Sequence, residues 1–208
     1  MQMSKTVFVD VDTQVDFMRS DGALYVPDAE RIIPDLKKLV DAAVKKATPI
    51  ISTADNHRED DEEMKQFPPH CIGGTPGQKK IPETTTSGLI NLPNRPYPGD
   101  LSTIFDHYDQ VVLEANTLDK FSNCNTDPLI RKLFADEYFV FGVATEYCVR
   151  LMVLGLLDRG KKVTLLTDAV KPIQEAAGKA AIDEVIQHGA KLASASEVIS
   201  RLDAASPR

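Results

Sequence analysis

Short, nearly unbroken apolar runs alternate along this chain with longer segments whose apolar residues recur every three or four positions. The runs are TVFVDV (6–11), PIISTAD (49–55), QVVLEA (110–115), EYFVFGV (137–143), KVTLLTDA (162–169) and KLASA (191–195). Their length and their β-branched and aromatic content predict strands. DAERIIPDLKKLVDAAVKKA (28–47) sets Ile32, Ile33, Leu36, Leu39, Val40, Ala43 and Val44 at helical spacing, with Asp28 as candidate N-cap. DPLIRKLFAD (127–136), EYCVRLMVLGLLDRG (146–160), KPIQEAAGKAAIDEVIQHG (171–189) and SEVISRL (196–202) predict further helices, with Gly160 and Gly189 as C-terminal stops. Residues 56–109 follow neither period and hold most of the prolines. They read as an extended loop-rich segment, and loops of that length are usually functional or disordered.

Strands that alternate with helices and are apolar on both faces predict an α/β fold with a parallel sheet covered on both sides, in one domain over 1–208. Ligands in such folds bind beyond the carboxyl ends of the strands, where the strand order reverses. The residue types there fit that rule. The first strand delivers Asp10, Asp12 and Asp16, the second Asp55 and His57, the strand from 110 Glu114, and the strand from 137 Cys148.

The net charge of −7 removes the basic footprint expected of a protein that binds nucleic acid or an anionic membrane. No apolar run approaches the length of a membrane span. The opening MQMSKTVFVDVD lacks the layout of a signal peptide, and three cysteines in a long chain do not suggest a disulfide framework. Both observations point to the cytoplasm.

Three groups of residues carry chemistry. In VFGVATEYCV, Cys148 stands where a strand turns into a helix. A cysteine there is either a small buried hydrophobe or a nucleophile assisted by the helix N-terminus. Backbone N–H groups of Cys148 and of a GVAT residue would hold an oxyanion, and Gly142 and Ala144 would let substrate approach the backbone. In VDTQVDF, Asp12 is a carboxylate able to take a thiol proton and return it to a leaving amine. In DNH and HC, Asp55, His57 and His70 form a carboxylate–imidazole set suited to zinc, iron or manganese, with Cys71 a competing ligand. His107 and His188 read as solvated.

Taken in this order, VFVDVDTQVDF, STADNH, FPPHCIGGTPG and GVATEYCV resemble the isochorismatase-like cysteine hydrolases, and among them the nicotinamidases. The resemblance implies a three-layer αβα sandwich with a six-stranded parallel sheet, hydrolysis of a small amide, and a homodimer or homotetramer. It matches Cys148 to the nucleophile, Asp12 to the acid–base residue, and Asp55, His57 and His70 to the ligands of a divalent metal, zinc first, that meets a pyridine nitrogen. It implies a cis peptide at Val143–Ala144, with Ala144 and Cys148 as oxyanion donors. Phe17, Phe67 and Tyr147 would pack on the aromatic ring of the substrate.

One element of the family pattern is missing. The family lysine stands in a pattern like K-x-x-(Y/F)-x-x-F, and counting back from Phe121 in LEANTLDKF puts its slot at Ala115. Lys120 lies five residues later, off the pattern, and on spacing is a poor stand-in; Arg150 is another possible source of charge. A cation about 4 Å from a thiolate contributes roughly 4 kcal/mol at an effective dielectric near 20, so the gap matters. The sequence therefore leaves three readings: a metal-assisted cysteine amidohydrolase acting on nicotinamide or a similar amide, a catalytically impaired or non-catalytic binder of small molecules on the same fold, or a ureido- or isochorismate-type hydrolase.

Overall fold

The computed structural model describes residues 6–204. Residues 1–5, part of the N-terminal stretch read for a targeting signal, lie outside them. All the predicted strands are present and all pair in parallel: β1 (Thr6–Val11), β2 (Ile50–Asp55), β4 (Gln110–Ala115), β5 (Glu137–Val143), β6 (Lys162–Lys171) and β7 (Lys191–Ala193). The sheet has seven strands rather than six, in the order β3-β4-β2-β1-β5-β6-β7. The extra strand, β3 (Leu89–Leu92), lies inside the segment read as loop. It is four residues long and pairs only with β4 at the sheet edge, so its sequence carries too little period to be recognised. The same segment holds three short 3-10 turns, at Glu62–Lys65, Pro82–Thr84 and Ile104–Asp106.

The helices are α1 (Val15–Met18), α2 (Ile33–Lys45), α3 (Thr126–Lys132), α4 (Arg150–Asp158), α5 (Glu175–Gln187) and α6 (Ala195–Ala204). Strand alternation sends Val7, Val9 and Val11 to one face, where Leu129, Met152, Leu156 and Val185 of α3, α4 and α5 bury them. Phe8 faces the other way, under Leu36, Leu39, Val40 and Val198 of α2 and α6. There it meets Phe139 and Phe141 edge-on at 5.7 and 6.0 Å. The result is the three-layer αβα sandwich.

Several boundaries differ from the sequence reading. The segment from Asp28 begins as a 3-10 turn, and α2 proper starts at Ile33, with Pro34 in its first turn, where a missing N–H costs nothing. The Asp28 side chain makes no capping hydrogen bond and pairs with Arg31 at 3.0 Å. β6 runs on to Lys171, so α5 starts only at Glu175.

The order of strands reverses beside β1: β2 follows on one side and β5 lies on the other. The carboxyl ends of β1 and β5 therefore open a crevice. Val11 and Gly142 are in register there. Gly142 has φ +117°, and a β-carbon on it would stand 2.1 Å from the Val11 carbonyl oxygen, so only glycine lets the strands close at this point.

Candidate active site

Just after β1 comes Asp12, whose φ of +48° turns the chain sharply and leaves its side chain in the crevice, fully buried. Thr53 of β2 locks it in place: the Asp12 N–H donates to Thr53 Oγ1 at 3.2 Å, and that hydroxyl donates to Asp12 Oδ1 at 2.6 Å. Asp12 Oδ2 makes no hydrogen bond to the sheet and faces the Lys120 ammonium at 3.1 Å. Of the three aspartates near the end of β1, only Asp12 serves the crevice. Asp10 is held by Lys80, Thr13 and Ser52. Asp16 is spent on the N–H groups of Ala23 and Cys71.

β5 ends in the cis peptide Val143–Ala144, and a π-helical turn, Thr145–Val149, carries the chain into α4. Cys148 sits in that turn at 5% exposure, facing the crevice. Its sulfur and carboxylate oxygens of Asp12 and Asp55 lie within 4.8 Å of one another. Burial pushes the Cys148 thiol well above its usual range, partly offset by Lys120. Burial also raises Asp12, again against Lys120. Both shifts have one cause, the removal of water, and a carboxylate raised in this way is a better proton acceptor than a solvated one.

The ammonium that spacing failed to place comes from Lys120. Its side chain is fully buried, and Nζ lies 3.1 Å from Asp12 Oδ2, donates to Asp55 Oδ1, and donates to the Thr117 carbonyl at 3.2 Å. Burial would lower its pKa, but Asp12 and Asp55 hold it well above the usual lysine value. Counting back from Phe121 thus pointed to the wrong residue as the source of charge. Ala115 ends β4, buried beside Asp55, and brings no charge. Arg150 is occupied elsewhere, donating to Glu184 at 2.6 Å.

Beside this group stand Asp55, His57 and His70, joined by Glu63, which the sequence reading did not select. One ligand atom from each lies within 4.8 Å of the others, and all four residues are buried. Asp55 Oδ2, His57 Nε2 and His70 Nε2 have no hydrogen-bond partner. The other imidazole nitrogens are engaged, His57 Nδ1 with Asp61 at 3.3 Å and His70 Nδ1 with the Pro68 carbonyl at 2.8 Å. Two imidazoles anchored at Nδ1, with unpartnered Nε2 atoms converging on two carboxylates, fit a divalent cation. Gln14 braces the set, since its side chain accepts from the Asp55 N–H at 2.7 Å and donates to the Asp55 carbonyl at 2.8 Å. Cys71 does not compete. Its sulfur turns to the Gly77 carbonyl, and burial and nearby carboxylates push its thiol far up. Glu63 had a faint signal, an acid in the EDDEE run upstream of His70, but acidic runs are usually solvated surface.

Both groups face a pocket whose walls include Phe17, Leu24, Phe67, Leu118, Tyr147 and Ile173. Phe67 meets Tyr147 edge-on at 5.4 Å, and Phe17 lies 5.3 Å from the His70 ring. All three aromatic residues selected from the sequence therefore line it. Among the described residues, no lysine or arginine is part of its wall.

A parallel α/β sheet with a buried thiol, carboxylate and ammonium at its switch point defines a class of hydrolase-like sites, and comparison with known families gives that class its name. The isochorismatase domain model matches residues 6–88 and 101–197, and the chain belongs to that family. Among characterised relatives, it is 24% identical to the nicotinamidase of Escherichia coli (strain K12) over 185 residues, 78% of this chain and 81% of that one. It is 25% identical to the nicotinamidase of Saccharomyces cerevisiae (strain ATCC 204508 / S288c) over 202 residues, 82% of this chain and 89% of that one. Among solved structures, the pyrazinamidase of Pyrococcus horikoshii, in complex with zinc, superposes with a TM-score of 0.74 at 28% identity, covering 91% of this chain and 99% of the other.

Proposed function

We propose that this protein is a metal-assisted cysteine amidohydrolase that cleaves a small heteroaromatic amide such as nicotinamide to the acid and ammonia. The observation that carries this reading is the meeting of Cys148 Sγ, the Asp12 carboxylate and the Lys120 ammonium in one buried crevice. Asp12 takes the thiol proton, and the sulfur attacks the amide carbonyl carbon. The oxyanion is held by the N–H groups of Ala144 and Cys148, with Lys120 favouring both thiolate and oxyanion. As the C–N bond breaks, Asp12 returns its proton to the departing nitrogen, and ammonia leaves a thioester on Cys148. Asp12 then takes a proton from water, whose oxygen attacks the thioester; the C–S bond breaks, Asp12 returns that proton to sulfur, and the acid leaves with the thiol restored.

Asp55, His57, Glu63 and His70 would hold the divalent metal, with zinc the first choice for two imidazoles and carboxylates. Bound there, it would supply a Lewis-acidic contact for a heteroatom of the substrate ring. Phe17, Phe67 and Tyr147 would hold the ring. The apolar and aromatic wall supports an aromatic amide over a carboxylate-bearing ureido or isochorismate-type substrate. The reading as a non-catalytic binder rested on a missing ammonium, and Lys120 removes that ground.

The test is ammonia release from nicotinamide by metal-loaded protein, with Cys148→Ala as the control. The expected outcome is turnover by the parent and loss of at least about a thousandfold in the variant, as for removal of a nucleophile. Substantial turnover by Cys148→Ala would refute the assignment.

A further inference from the structure

We infer that positions 115 and 120 are alternative origins for a single ammonium, and that Ala115 must be small and uncharged in this chain because Lys120 fills the space a long side chain from 115 would enter. The inference rests on the proposed role of Cys148. Ala115 and Asp55 are register partners at the ends of adjacent parallel strands, so their side chains leave the sheet on the same face. Ala115 is 3% exposed, so its methyl has no route to solvent. The Lys120 ammonium binds Asp55, and it also binds the carbonyl of Thr117, two residues beyond Ala115. It thus lies against the end of β4, the place a lysine side chain starting from Ala115 would reach.

The excursion between the two positions is pinned at both ends. Asn123 Nδ2 donates to the carbonyls of Glu114 at 2.7 Å and Leu92 at 2.9 Å, tying the far side of the loop back to the strand ends. Thr126 Oγ1 donates to the Lys120 carbonyl at 2.8 Å. The Phe121 ring fits over Gly155, where a β-carbon would stand 2.2 Å from it, and the Arg159 guanidinium covers its centroid at 3.7 Å. A five-residue detour therefore returns a lysine to the point from which the chain left β4. Two carboxylates and a thiol meet one ammonium there. A second buried ammonium would repel the first.

The test is the rate of Cys148 alkylation by iodoacetamide at fixed pH in metal-loaded protein. It is run in a Cys124→Ser background, because Cys124 is exposed and would also react. Thermal unfolding is followed in parallel. Lys120→Ala is expected to alkylate at least about tenfold more slowly than the parent. Ala115→Lys alone is expected to slow alkylation or lower the melting temperature. The double variant Ala115→Lys/Lys120→Ala is expected to return to within about tenfold of the parent rate and to melt above Lys120→Ala. If Lys120→Ala does not fold, recovery of folded protein in the double variant is the expected rescue. A double variant no faster and no more stable than Lys120→Ala overturns the inference, as does an Ala115→Lys protein with parental rate and stability. Because alkylation needs no amide substrate, failure to hydrolyse nicotinamide with this pattern intact would refute the substrate and leave the inference standing. Hydrolysis with the pattern absent would do the reverse.

Discussion

Asp61 shows how much of the site depends on single residues outside the ligand set. It accepts from the Arg58 N–H at 2.9 Å and from Asn116 at 3.2 Å, and faces His57 Nδ1 at 3.3 Å. A carboxylate in that place fixes the imidazole ring and leaves its Nε2 lone pair free. Asp61→Ala is therefore expected to weaken metal binding about 10- to 100-fold with the fold intact, read by competition with a chelator. Parental affinity in that variant would remove Asp61 from the site. Tyr138 is a second informative residue. Its hydroxyl is buried under the sheet with no hydrogen-bond partner, and burial pushes its pKa to about 12 from 10.0. The folded state keeps the proton where the unfolded chain gives it up. The stability linked to this proton is complete below pH 10 and is lost as pH rises toward about 12. Tyr138→Phe is expected to flatten that alkaline loss in urea midpoints taken at rising pH. An unchanged alkaline slope would show that other groups dominate.

At the scale of elements, the loops that carry the site are tied to the sheet by buried polar contacts. Lys80 reaches in from the segment before β3 to Asp10 at 2.8 Å and to Thr13 Oγ1 at 2.8 Å. Ser52 Oγ donates to the same Asp10 oxygen at 2.9 Å, and Gln110 passes the network on to Ser52 and the Thr84 carbonyl. β1, β2, β4 and the loop before β3 are thus joined through one aspartate. Removing one partner of a buried pair leaves the other charge uncompensated. Lys80→Met should cost about 3–5 kcal/mol, seen as a lower urea midpoint. A loss under about 1 kcal/mol would mean the network contributes register and not stability. The elements also show where sequence reading succeeds. β1, β4 and β5 were legible to the residue because their apolar runs are buried on both faces. β3 was not, because only one of its four residues, Leu92, is fully buried and only four residues pair. Glu63 and Asp61 lie on and before a short 3-10 turn that has no hydrophobic period to read.

Across the whole molecule, acid is the condition that tests the electrostatic design. Burial would raise Glu83 and Glu137, but their partners Arg19 and Arg201, at 2.8 Å each, hold both below the usual 4.5. Asp127 is held below 3.8 by Arg159. For groups depressed in the fold, the linked stability is complete above the unfolded values and lost as pH falls through the folded ones. Melting temperature is expected to be insensitive to these groups above about pH 5 and to fall progressively below about pH 4.5. Raising salt should shrink the acid-sensitive part, since these pairs are partly solvated. A melting temperature that stays level down to pH 3 would contradict this. No helix among the described residues is long and apolar enough to cross a membrane.

By itself the sequence determined what is local and periodic. The strands, the helices and their glycine stops follow from apolar spacing, and strand–helix alternation implies a parallel sheet with its site at the carboxyl edge. That edge also held Asp12, Asp55, His57 and Cys148, because short loops leaving strand ends can go nowhere else. Tertiary structure alone decided which of the many charged residues share a point in space. A lysine ammonium sits on a long flexible stem, so the same position can be reached from Ala115 or from Lys120, and spacing cannot choose between them. The fold chose Lys120 by pinning its loop with Asn123, Thr126 and the Phe121 ring. It committed Arg150 to Glu184, turned Cys71 away, and brought Glu63 to the histidines. Those outcomes depend on contacts between distant segments, which no period along the chain encodes.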